Sequence, residues 1–198
     1  MGIVVAPTGV SMDTMAVAFP ECSAEASTYF ANVLSYPAIK GPSVMTDKMI
    51  VILDDEADRI NAMLPCLARE YPGIRTVIFD NATDMIGWLR ENLTTALVIC
   101  LDHDLGPNRS RGGVVFEPGT GRDVVDYLAT QPPACPIILH TTNHLAVPGM
   151  QRVLEESGWP VSRVAPYADL DWIDPDWISE VRKVLEVGGP DKRPRPSG

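Results

Sequence analysis

Basic residues are scarce in this chain and histidine is scarcer: 16 Lys and Arg stand against 26 Asp and Glu, with 3 His, for a formal charge of −10 over 198 residues. The sequence pI is about 4.7. Such a balance removes any general attraction to a nucleic-acid backbone or an anionic membrane, so general nucleic-acid binding is not expected and an RNA substrate would have to be gripped locally. The few cysteines, Cys22, Cys66, Cys100 and Cys135, form no Cys-x-x-Cys pair, which argues against a thiolate zinc site and a dithiol redox motif. Cys66 and Cys100 lie inside apolar runs and read as reduced core residues. No apolar run approaches the roughly 18 residues of a membrane span. The first basic residue is Lys40, too late for the positive n-region of a secretory signal. A cytoplasmic protein is the expectation.

What is present is one domain's worth of alternating pattern. Residues 1–46, rich in Ala, Ser, Thr and Pro, show no sustained period and read as a poorly ordered extension, with room for a short helix over Ala24–Leu34. Met45 or Met49 is an alternative start. Residues 188–198 (GGPDKRPRPSG) have the composition of a disordered tail. Over 47–187, apolar strand-like runs alternate with helical spacing. Strands are predicted at Met49–Leu53, Ile74–Phe79, Ala96–Leu101, Pro136–Leu139 and Val161–Ala165. Helices are predicted over Glu56–Glu70, Asn81–Asn92, Thr120–Thr130, Gly149–Ser157 and Pro175–Val187, the third opened by Thr120 as N-cap with Asp123 three positions on. Asp102–Gly119 reads as a polar, Gly-rich connection. This alternation predicts an α/β fold: a five-stranded, doubly wound parallel sheet in the order 2-1-3-4-5.

In such a sheet, ligands sit at the carboxyl ends of the strands where strand order reverses. Strand one runs directly into Asp54-Asp55-Glu56, and strand three into Asp102-His103-Asp104. Neighbouring strands lie about 4.8 Å apart, so these carboxylates should converge and repel unless a cation neutralises them. Mg2+, a hard ion that takes a few carboxylates and leaves room for phosphate oxygens, is the expected cofactor. Asp54, Asp55, Asp102 and Asp104 are its candidate ligands. Asp58 and Asp80 read as turn-formers only.

Strand four ends in His140-Thr141-Thr142-Asn143. His140, with His103, is a candidate general acid or base, and Thr141 and Asn143 are candidate phosphate donors. Arg109 and Arg111 in the long connection, and Arg122 at the start of a helix whose free N–H groups suit an anion, complete the phosphate-binding candidates. Trp172 and Trp177 read as packing for the last helix, or as surfaces on which a base could stack.

These residues resemble two-component receiver domains, whose sheet has the same flavodoxin-like order. The acidic pair Asp54-Asp55, Asp102 at the phosphoacceptor position and Thr141 after strand four all stand where that family has equivalents. The resemblance stops at strand five, where Ala165-Pro166 replaces the Lys-Pro whose lysine contacts the acyl phosphate. A narrower similarity covers about Met49–Val187. LDHDLG at Leu101–Gly106, HTTN at His140–Asn143, Gly149-Met150 and the tryptophan-bearing tail are similar to the atypical receiver-like group proposed to process cyclic phosphates on nucleotides or RNA ends.

The resemblance implies a metal-dependent phosphoesterase, a hydrolase acting on a cyclic or terminal phosphate of a small molecule or RNA end. Water activated at the metal, or Asp102 attacking phosphorus directly, are both open as first steps, with His140 or His103 protonating the leaving oxygen. A two-histidine phosphodiesterase is not supported, because His140-Thr141-Thr142 is the only His-x-Thr in the chain. The alternative is a non-catalytic regulatory module that binds phosphate or a partner protein through the same crevice.

Overall fold

The computed structural model describes residues 48–107, 109–111, 114–167 and 169–187. The extension over 1–46, its short helix and the tail over 188–198 lie outside the described residues. The elements run β1 (Met49–Leu53), α1 (Ala57–Glu70), β2 (Arg75–Phe79), α2 (Ala82–Asn92), β3 (Ala96–Leu101), β4 (Arg109–Arg111), β5 (Val114–Phe116), α3 (Gly121–Leu128), β6 (Ile137–Leu139), α4 (Val147–Glu156), β7 (Val161–Arg163) and α5 (Ile178–Val187).

Five of the strands form a parallel sheet in the order β2-β1-β3-β6-β7. Counted by its own strands this is the expected 2-1-3-4-5. What the sequence reading missed is the antiparallel hairpin β4-β5, with Arg111 opposite Val114, inside the stretch expected to be loop. Its signal was Gly112-Gly113 between two short runs.

Continuous apolar strands such as MIVIL and ALVICL need cover on both faces, and they receive it. Val51, Leu53, Ile99, Leu101, Ile137 and Leu139 pack on one face with Met85 and Leu89 of α2, Val124 and Leu128 of α3, and Met150 of α4. Ile50, Ile52, Val98, Cys100 and Ile138 pack on the other with Met63 and Leu67 of α1 and with Trp172, Trp177 and Val181.

Helix ends follow local chemistry. The Asn81 side chain accepts the Asp84 N–H at 2.8 Å to start α2, and Thr120 and Asp123 form a reciprocal capping box on α3. Two helix starts moved by more than one residue relative to expectation. The fourth helix starts at Val147, with a proline in its first positions. The last begins at Ile178 behind a π turn over Ile173–Trp177. Cys66, Cys100 and Cys135 are free and buried, as core thiols should be. Burial pushes the Cys135 thiol up to about 12 and the Cys100 thiol further still, so neither is a thiolate at neutral pH. Trp172 and Trp177 are fully enclosed. They are core residues, as the packing reading expects, and the alternative of base-stacking surfaces does not hold.

Candidate metal and phosphoryl site

Register places the site. Leu53 lies opposite Leu101, and Leu101 opposite Leu139. The ladder continues one residue further, with the Asp102 N–H donating to the Leu53 carbonyl and the His140 N–H to the Leu101 carbonyl, each at 2.9 Å. Asp54, Asp102 and His140 therefore form one row across three strands. Side chains alternate between faces, so this row continues the columns Ile50-Ile52, Val98-Cys100 and Ile138, on the side covered by α1 and the tryptophans.

That side is dry. Asp54 and His140 are 0% exposed, Asp102 2% and Arg59 7%. Arg59, in the first turn of α1, holds the row together. Its Nε donates to Asp54, 3.1 Å from Oδ1 and 3.0 Å from Oδ2, and its Nη2 donates to Oδ2 of Asp102. Oδ1 of Asp54 also accepts the Glu56 N–H at 2.9 Å, and its Oδ2 lies 3.1 Å from Nε2 of His140. The imidazole stacks on Trp172, with ring centroids 6.2 Å apart, and meets Trp177 edge-on at 6.5 Å. Burial alone would push the Asp54 carboxyl up. The hydrogen bond and charge of His140, the Arg59 guanidinium and the Glu56 N–H outweigh burial and hold it below the usual carboxylate range. Burial likewise works against the Arg59 charge, but Asp54 and Asp102 more than restore it.

Oxygens of Asp54, Asp55 and Asp102 lie within 4.8 Å of one another. Three carboxylates and one guanidinium sum to two negative formal charges, which suits a divalent cation, and an all-oxygen donor set suits Mg2+. Asp104 is not in this group. It is exposed, and both its oxygens accept from the Asn143 amide at 3.2 Å.

The remaining candidates separate. The His103 N–H donates to Oδ1 of Asp102 at 2.7 Å, while its ring is partly exposed, with Nε2 3.8 Å from Asp104 and a buried Nδ1 that has no hydrogen-bond partner. Thr141 is fully buried, its hydroxyl accepting the Asn143 N–H at 3.2 Å. Arg122 pairs along α3 with Asp126 at 2.7 Å. Arg109 and Arg111 stand in β4, and their side chains lie outside the described residues. Gly121 closes the connection onto the site: its N–H donates to the His103 carbonyl at 2.9 Å. A Cβ there would sit 2.0 Å from the Asp102 carbonyl oxygen.

Arg59 is the site residue that the sequence reading missed. The signal was positional: Arg59 lies four residues before Met63 on the apolar stripe of α1, and a cation in a helix's first turn is opposed by the helix dipole. Such a residue needs carboxylates beside it.

Residues 49–156 match the model of the cyclic-phosphate processing receiver domain. The chain belongs to that family. Solved structures share its fold: a response regulator receiver domain from Rhodospirillum rubrum (16% identity, TM-score 0.50, covering 70% of this chain and 94% of that one); the phosphorylated cyanobacterial phytochrome response regulator RcpA (15%, 0.52, 71% and 95%); and a LuxR-family DNA-binding response regulator from Staphylococcus aureus (18%, 0.50, 70% and 98%). At these identities the likeness is one of fold. No curated protein matches the chain. Among the described residues no helix is long and apolar enough to cross a membrane.

Proposed function

We propose that the crevice at the ends of β1, β3 and β6 is the active site of a Mg2+-dependent phosphoesterase that opens or removes a cyclic or terminal phosphate on a nucleotide or RNA end. The observation that carries this reading is the convergence of Asp54, Asp55 and Asp102 within 4.8 Å, in a chain whose family is described as cyclic-phosphate processing. When bound, Mg2+ supplies charge neutralisation and polarisation of the phosphoryl group. The chain's own residues do the rest. Asp55 is the half-buried carboxylate of the three, while Asp54 is held by His140 and Arg59.

The two histidines then take different parts. His140 has no exposed surface and its Nε2 lies against Asp54, so its part is to orient that carboxylate. His103, partly exposed beside Asp102, is the imidazole that can meet a leaving oxygen as general acid. Asn143 and Thr141 line the neighbouring strand end, and Asp104 orients Asn143. A cytoplasmic setting, with its reduced thiols and available nucleotides, suits this chemistry.

The test is turnover of a 2′,3′-cyclic nucleotide by the purified chain with and without Mg2+. Metal-dependent opening of the ring, reduced about 10²–10⁴-fold in His103→Ala, is the expected result. One observation favours a second reading, a regulatory module: solved structures that share this fold are response regulator receivers. Labelling of Asp102 by a small phosphodonor, with no turnover of any phosphate ester, would replace the first reading by the second.

A further inference from the structure

We propose that Arg59 is the phosphate-binding cation of this crevice, stored on Asp54 and Asp102 until Mg2+ takes its place on those carboxylates. The inference rests on the phosphoryl-site reading and extends it to a residue whose part so far is to hold Asp54 and Asp102. Arg59 is the buried member of the basic residues: among those described, no other Lys or Arg is enclosed. Its bonds end on the same carboxylates that offer ligand atoms for a metal, Asp54 through Nε and Asp102 through Nη2. A divalent ion and the guanidinium therefore compete for shared oxygens. The Nε bond lies within the Asp54 network of Glu56 and His140, whereas Nη2 reaches across to Asp102 by a single bond. The Nη2 edge is the part that a metal on Asp102 would release. A released guanidinium edge is a planar, permanently charged donor fork, the geometry that pairs with phosphate oxygens. The segment just after β7 supplies no cation, since Val164 and Ala165 stand there.

The consequence is a split that a merely structural arginine would not show. Removing the charge should strengthen Mg2+ binding, because a competing cation is gone, and weaken binding of phosphate to the Mg2+-loaded site. The experiment is calorimetric titration of the full chain, first with Mg2+ and then with inorganic phosphate at saturating Mg2+, for wild type, Arg59→Met and Arg59→Lys. For Arg59→Met we expect Mg2+ to bind about tenfold tighter or more, and phosphate about 10–100-fold weaker, the usual range for a lost charge-assisted bond. Arg59→Lys keeps the charge and loses the fork. It should hold Mg2+ near the wild-type affinity and still weaken phosphate about tenfold, and it serves if the methionine variant does not fold. If either variant leaves phosphate binding unchanged, or weakens Mg2+ and phosphate together, the proposed role is overturned while the metal site stands. If wild type binds neither Mg2+ nor phosphate, the phosphoryl-site reading falls and takes this inference with it.

Discussion

The two faces of the central sheet use the same strands for opposite ends. On the face covered by α2, α3 and α4, the columns finish in Leu53, Leu101 and Leu139, all fully buried. On the face covered by α1 and the tryptophans, the columns run one residue further and finish in Asp54, Asp102 and His140, equally buried. A shift of one residue thus separates a hydrocarbon layer from a charged one. The apolar face gains by area removed from water. The charged face depends on pairing of its buried charges, and Arg59 serves two of the carboxylates. Packing can be spread over many side chains, whereas the charge balance rests on four residues.

Breaking the apolar face should give the largest change in stability and the smallest change in chemistry. Leu101→Ala is expected to destabilise by about 2–5 kcal/mol, the range for truncating a buried leucine. Denaturant unfolding would measure this, and the stabilisation by Mg2+ should survive. On the other face, His140→Ala removes a bond to a buried carboxylate, an effect of about 1–3 kcal/mol. Here the response to Mg2+ should change, because Asp54 loses its orienting partner. A stability loss without a changed metal response would mean that the two faces are not functionally distinct.

Acid sharpens the same contrast. The folded Asp54 carboxyl titrates below its unfolded value, so below about pH 3.9 the unfolded chain binds the proton first. The stability contributed by Asp54 is therefore complete above that pH and is lost as pH falls through the folded value. Asp54→Asn should flatten this part of the acid limb in a series of unfolding curves, and Leu101→Ala should only lower the whole curve. The smallest effect belongs to Asp104, which is exposed and accepts from the Asn143 amide. Asp104→Ala is expected to change stability by no more than about 0.5 kcal/mol, with the thermal shift produced by Mg2+ unchanged.

Much of this was legible in the sequence, for reasons that also explain the gaps. Apolar runs of strand length alternating with helical spacing specified five parallel strands and their order, and carboxylates directly after two such runs located Asp54, Asp55 and Asp102. Depth was not legible. Nothing in His140-Thr141 says that Trp172 and Trp177, more than 30 residues on, will enclose the imidazole and turn it toward Asp54. Strand register explains why Asp104 departs from the group: in Asp102-His103-Asp104 the chain has already left the ladder, and Asp104 bridges to Thr120 at the base of the hairpin connection. Arg59 escaped notice because a charged residue on a helix is ordinarily solvated. Its place on the stripe with Met63 and Leu67 becomes meaningful only once α1 is known to cover the acidic row.

The most direct test of the metal site is the melting temperature of the full chain with increasing Mg2+, in wild type and in Asp102→Asn. A ligand that binds only the folded state raises the melting temperature in proportion to its affinity. The account predicts a saturable rise in wild type and the loss of most of it in the variant, whose oxygens no longer complete the group with Asp54 and Asp55. An equal response of the two proteins to Mg2+ would contradict it.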